Sequence, residues 1–419
     1  MYSYRFTIKS IENSRDFKIK SNSKELIEGF INDLLFVFSE PDPEKENFRN
    51  ITTLNLKNTD LHKSVNLFVK QYQDKVPPIK GFEAVIKRIG ENENFYFIPK
   101  IELSTEESLI LQSHLKSLKE GIEFESLKKE IKVVFGDILK SYDVYEFGAS
   151  RKAIGEPIKK KRSCRFCGLN AKDITFKTKA HAISEALGNK KLILLEECDA
   201  CNQKFSEIIE PDIIEYLSLY RSIFQVKGKG GVKKLKGSNF KILNDDHIEI
   251  QLNEPFGEQM RRPPFTLPLK TGRKLCTQNI YKALCKYFIS LVSTKELVHF
   301  KKTIRWLNVE NEVEDLPKVA ELFSYEHFTL EPNLTYFLRK DNDYRLPHVL
   351  CELRITCVVL VFIIPFSDCD RQEFLKEDER EYYWNKFKHF SNSNEWRFHD
   401  LSSNEPKEFS MSLTVQLEE

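Results

Sequence analysis

Residues 164–210 read CRFCGLNAKDITFKTKAHAISEALGNKKLILLEECDACNQKFSEIIE. Two Cys-x-x-Cys pairs, Cys164/Cys167 and Cys198/Cys201, enclose thirty residues, with His181 between them and Asn202 directly after the last cysteine. Each pair lets two sulfurs reach one ion from a tight turn, and four thiolates suit tetrahedral zinc. Four sulfurs leave the ion no open position, so its expected role is structural. Thr175 to Ile183 reads as extended, Leu187-Gly188-Asn189-Lys190 as a turn, Leu192 to Leu195 as a short apolar strand and Asp199 to Ile209 as a helix. The expectation is a β-hairpin followed by a helix, with zinc stapling the open end.

These residues resemble the HNH nucleases, which carry the ββα-metal fold, and among them the four-cysteine branch. The likeness lies in Cys164-x-x-Cys167, then Ala180-His181-Ala182-Ile183-Ser184-Glu185-Ala186-Leu187-Gly188-Asn189, then Glu197-Cys198-Asp199-Ala200-Cys201-Asn202, with Phe205 and Glu210 behind. It thins outward through a Lys-Gly-rich turn at 227–236, Tyr281-Lys282-Ala283-Leu284 and Trp306-Leu307, spanning roughly 160–370. The resemblance implies a metal-dependent endonuclease that hydrolyses DNA phosphodiester bonds. It implies His181 as general base, Asn202 as a ligand of a catalytic Mg2+ or Mn2+, and structural Zn2+ on the four cysteines. Most members place Asp or Glu before the histidine as a metal ligand, and here that position is Ala180. Three acids stand as replacements: Glu210, ranked first on the family's habit, Asp199 on the same helical face as Asn202, and Glu185 on the turn. Proteins of this kind often serve bacterial or phage defence and restriction. One such site cuts one strand, so a double-strand break implies a homodimer or a partner protein from the same defence system.

The net charge is only +2, but the basic residues are clustered. Residues 151–190 hold eleven Lys/Arg against three Asp/Glu, and 221–236 hold six against none. Flanking basic segments suit a phosphate backbone. Lys159, Lys160, Lys161 and Arg162 before the first cysteine pair, with Lys177, Lys179 and Lys204 inside the stretch, are the candidate nucleic-acid contacts. The competing reading keeps the zinc and drops the chemistry: an inactive, zinc-stapled nucleic-acid-binding protein in which His181 merely packs in the hairpin. A third reading makes the zinc module only a fold staple in an interaction protein.

The start, MYSYRFTIKS, alternates like a strand rather than a signal peptide. The longest apolar run, residues 355–366, is too short to span a bilayer. Nine cysteines, only four in ligand spacing, suit a reducing cytoplasm. Cys276, Cys285, Cys351, Cys357 and Cys369 read as small core residues.

The N-terminal part predicts a strand over 2–9, then a helix capped by Asn22 or Ser23 with Leu26, Phe30, Ile31, Leu34 and Phe38 on one face. Further helices are expected near 61–72, after a Ser104/Glu107 capping box, and over 124–138, with a strand at Phe95, Phe97 and Ile101. The C-terminal part predicts a helix from 212 to 224, a hairpin around Asn244-Asp245-Asp246, and an amphipathic helix carrying Ile280, Leu284, Phe288 and Leu291. Strands are expected at 334–339, 349–364 and 409–417, with a solvated acidic helix near 373–381. The expected class is α+β and multidomain: an α+β domain over 1–147, a basic linker over 148–163, the zinc-stapled ββα-metal (HNH) module over 164–225 and a strand-rich α+β region over 226–419.

Overall fold

The computed structural model describes residues 1–11, 14–45, 48–77, 79–99, 103, 105–148, 151–228, 231, 235–244, 248–253, 264–309, 315–391 and 393–415. Ile101, Ser104, Lys229, Gly230, Lys233, Lys234, Asp245, Asp246 and Leu417, used above, lie outside the described residues. The fold is α+β and divides into two compact units, Met1–Lys140 and Ser141–Glu419.

In the first unit the alternation of Tyr2–Lys9 makes a half-buried strand paired on one side with Ser14–Ser21 and on the other with Asn94–Ile98. Leu54–Leu56 completes a four-stranded antiparallel sheet. Its apolar face, with Phe6, Ile8, Phe95 and Phe97, packs with Phe30, Phe38, Phe68 and Phe82 from the adjoining helices and their ends. Ser23 is the cap of Lys24–Val37, accepting from the Leu26 amide at 3.1 Å. The helix Ile79–Arg88 also lines this core.

The second unit is built on a six-stranded antiparallel sheet ordered Arg397–His399, Val319–Phe323, Val358–Ile363, Val349–Thr356, Thr329–Arg339 and Tyr142–Phe147. Here the structure departs from the sequence reading. The single strand expected over 349–364 is a hairpin, reversing at Thr356 and Cys357 with Thr356 at φ 53°. Both arms are buried apart from the partly exposed Arg354, and no glycine or proline marks the turn. Tyr142–Phe147, placed by sequence in the first domain, pairs with Thr329–Arg339 and belongs to this sheet. Lys152–Ile154, within the expected linker, runs parallel to Leu192–Leu194. The helix expected over 212–224 breaks at Leu217 into Glu210–Tyr216 and Ser218–Ile223. The acidic helix lies slightly later, at Glu377–Lys386.

The helix Thr277–Leu291 sits at the centre of this unit. It is buried on every side, not only on the stripe of Ile280, Leu284 and Phe288. Gln278, Lys282, Lys286 and Ser290 recur every fourth residue, so they line one face of a helix that is buried throughout. One continuous core joins this helix, the large sheet and the 164–225 stretch, including Phe166, Ile183, Leu187, Phe205, Leu284, Phe288, Tyr336 and Leu353.

Glu352, on the strand Val349–Thr356, is a buried carboxylate that accepts from His389 Nε2 at 3.0 Å and is paired with Arg354. Burial pushes its pKa up, but the His389 and Arg354 contacts outweigh that and bring it down to about 2. A carboxylate depressed in the folded state contributes stability that is full above its unfolded value and is lost as pH falls toward the folded one. Denaturant unfolding of Glu352→Gln against wild type is expected to show a deficit of about 3 kcal/mol above pH 5 that shrinks toward pH 2.

Candidate active site

The first cysteine pair sits on a tight knuckle. The Gly168 amide donates to Cys164 O at 2.9 Å, and Gly168 takes φ 75°, a left-handed turn that glycine adopts at no steric cost. The second pair opens the helix Asp199–Ile208: Cys198 is its N-cap, its sulfur accepting from the Cys201 amide at 3.4 Å. The four sulfurs of Cys164, Cys167, Cys198 and Cys201 all lie within 4.8 Å of one another, the spacing four thiolates take around one ion. Cys167 is exposed and the other three are buried. The donor set fits zinc and, being all sulfur, fits a structural ion.

Arg165, inside the knuckle, is buried. Its guanidinium bonds Glu196 at 2.8 Å and donates to the carbonyls of Ile289 at 3.0 Å and Val292 at 2.7 Å. A cation thus caps the C-terminal carbonyls of the central helix, where the helix dipole favours positive charge.

The hairpin that carries His181 is short. Ala180–His181 pairs antiparallel with Leu194 and Ile193. Asn189 compensates for so small a ladder. Its buried side chain donates to Ile183 O at 2.7 Å and Leu192 O at 3.0 Å, and accepts from the amides of Lys191 at 3.1 Å and Leu192 at 2.9 Å. All four hydrogen-bonding sites of the amide are used. Gly188 before it takes φ 96° against Val226 and the Leu330 carbonyl, where a Cβ would come within 2.9 and 3.2 Å. The sequence reading saw here only a turn; an asparagine directly after a left-handed glycine was the available signal.

Asn189 also sets the histidine. His181 Nδ1 lies 3.0 Å from the Asn189 carbonyl, which can only accept. The proton therefore sits on Nδ1, and Nε2 carries the lone pair. Glu185 Oε2 is 3.6 Å from Nε2. His181 is half-buried, and burial lowers its pKa, with Glu185 pulling the other way. The imidazole is neutral at neutral pH.

The acids around it separate by their partners. Asp199 is occupied: it accepts from the Lys177 amide at 2.9 Å, the Thr178 amide at 2.8 Å and the hydroxyls of Thr175 and Thr178. Burial alone would raise its pKa, but these bonds leave it well below the carboxylate range. Asp199 thus ties the segment before His181 to the helix start. Glu210 is buried at the start of Glu210–Tyr216 and gives Oε1 to Lys286 Nζ at 3.1 Å. Glu197, fully buried, lies 3.3 Å from the same ammonium, and burial pushes it up to about 7. Glu185 has a partly exposed side chain. Asn202 is half-buried on the Asp199–Ile208 helix, and its side-chain amide makes no hydrogen bond among the described residues.

Of the basic candidates, Lys159, Lys160, Lys161, Lys177 and Lys179 are exposed, the first three on one 3-10 turn. Arg162 instead donates to the carbonyls of Glu156 and Pro157, and Lys204 donates to Asn308 O at 2.6 Å. Those two cations hold local structure. Among the described residues no helix is long and apolar enough to cross a membrane.

A knuckle and a helix start that bring four sulfurs together, with a hairpin between them presenting an oriented imidazole, define a ββα module with a four-cysteine cluster compatible with zinc. Residues 164–218 match the HNH endonuclease family. The match ends short of the outer likenesses at 227–236, 281–284 and 306–307. No curated protein and no solved structure matches the chain.

Purified under reductant, the protein is expected to hold about one zinc per chain, the capacity of one closed four-thiolate site. Chelation, or Cys198→Ser, should lower the unfolding midpoint of the wild type, because the ion's binding energy is folding energy. Elemental analysis paired with calorimetry reads both.

Proposed function

We propose that the 164–218 segment is a metal-dependent endonuclease site that hydrolyses DNA phosphodiester bonds. One observation carries the reading: the Asn189 carbonyl accepts a hydrogen bond from His181 Nδ1–H, so Nε2 offers a lone pair on a hairpin clamped by four sulfurs. In this mechanism Nε2 accepts a proton from water as the oxygen attacks phosphorus, and the bond from phosphorus to the 3′ oxygen breaks. A bound Mg2+ or Mn2+ supplies neutralisation of charge on the phosphate and the departing oxygen. Asn202 and Glu185 are the residues of this chain that would hold it. The sequence reading ranked Glu210 first, and Glu210 remains available through Oε2 alone while Lys286 takes Oε1. Glu185, within reach of the imidazole, now leads as the acid that replaces the carboxylate missing at Ala180. Lys159, Lys160, Lys161, Lys177 and Lys179 would track the DNA backbone. A defence or restriction role, a cytoplasmic setting and a homodimer or partner protein extend the same reading.

Ala180 favours a second reading, a descendant that binds nucleic acid without cutting it. Plasmid incubation with Mg2+ or Mn2+ separates the two. Wild type is expected to nick or linearise the plasmid, and His181→Ala to lose about 10²- to 10⁴-fold in rate, the usual contribution of a positioned base. Undiminished cleavage by His181→Ala removes the base assignment, and binding without cleavage by wild type supports the second reading. Separately, affinity for a DNA duplex should fall with salt, and Lys159→Ala/Lys160→Ala/Lys161→Ala should flatten that slope by up to about 3.

A further inference from the structure

The central helix delivers one cation to the module from outside the 164–218 segment. Lys286, with a side chain 1% exposed, sends its ammonium to three places: His181 O at 3.1 Å, Glu210 Oε1 at 3.1 Å and Glu197 Oε2 at 3.3 Å. These belong to three segments, namely the end of the hairpin strand, the residue before Cys198, and the first turn of the helix Glu210–Tyr216. Two buried carboxylates explain why a cation is there. They do not explain why it also reaches a main-chain carbonyl.

The sheet order explains that. Ala180–His181 is the edge of its three-stranded sheet, with Leu192–Leu194 on its inner side. A carbonyl on an edge strand that faces protein rather than its neighbour strand takes its donor from outside the ladder. Lys286 is that donor. His181 is then held on three sides: by the ladder to Ile193, by Asn189 O on its ring, and by Lys286 on its carbonyl.

We propose that Lys286 is a positioning residue, fixing the His181 backbone so that the ring meets Asn189 O and keeps its lone pair on Nε2. The proposal rests on His181 as the base, and it deepens that reading by adding a residue beyond the matched segment. Lys282, one turn earlier on the same face, provides the control. It is as deeply buried, and its ammonium bonds Val309 O at 2.7 Å and lies over Trp306, without reaching His181.

The test compares Lys286→Met and Lys282→Met in the full chain for zinc content, turnover and DNA KM, with 15N-histidine NMR assigned through His181→Ala. Because Lys286→Met leaves two carboxylates without a cation, Glu197→Gln/Lys286→Met is carried alongside to reduce the buried charge. Both variants lacking Lys286 are expected to keep zinc and to lose about tenfold to a hundredfold in kcat with KM little changed, the scale of a small misplacement of a reacting group. Their His181 ring should no longer hold a single Nδ1–H tautomer. Lys282→Met should melt earlier yet turn over like wild type per folded molecule. An unchanged His181 spectrum and kcat without Lys286, or an equal loss of kcat in Lys282→Met, overturns the proposal. If wild type does not cleave, the endonuclease reading fails on its own, and the ring spectrum alone decides whether Lys286 sets the imidazole.

Discussion

Strands of two and three residues cannot hold a hairpin by their own ladder. The candidate site is built on such strands, Ala180–His181 and Leu192–Leu194, and the rest of the arrangement answers that shortage. The Asn189 amide supplies four bonds inside the turn. Asp199 ties the incoming chain to the helix start through two amides and two hydroxyls. The four sulfurs then close the open end. Each device replaces ladder bonds with side-chain bonds, which constrain direction as well as distance. That is a sensible way to hold one imidazole in one tautomer.

The second support comes from a helix that the local sequence pattern describes poorly. Thr277–Leu291 looks amphipathic, yet its polar stripe faces protein. Gln278 donates to Ser402 O, Lys282 to Val309 O and Lys286 to His181 O, while Arg165 reaches back to the helix's own end. Buried donors are tolerated when each has an acceptor, and here the acceptors of Gln278, Lys282 and Lys286 include main-chain carbonyls of neighbouring segments. The stripe therefore ties the helix to three separate segments, at Ser402, at Val309 and, in the hairpin, at His181.

Much of the site was legible because its signals are local. The paired cysteines, the histidine between them and the Leu187-Gly188-Asn189 turn lie within a few dozen residues and carry strong residue-type preferences. What escaped depends on partners far along the chain. Tyr142–Phe147 looks like part of the first domain until Thr329–Arg339 pairs with it. The 349–364 run hides its reversal because both arms are almost wholly buried, Glu352 among them, and the turn falls on Thr356 rather than on glycine or proline. Lys204 and Arg162 read as phosphate contacts, and only the fold shows that backbone carbonyls already receive their donors. Among the acids, composition could not rank Asp199, Glu185 and Glu210, because their availability is set by neighbours rather than by spacing.

The continuous core also limits how the segment could be moved. Phe166, Leu187 and Phe205 share their packing with Phe288 and Tyr336, so the four-cysteine segment is not a detachable cassette. Grafting it onto a foreign scaffold would leave a raw apolar face and sever the Arg165 cap. A change of volume on the buried face of the central helix is then felt in the staple, and one in the staple at the helix.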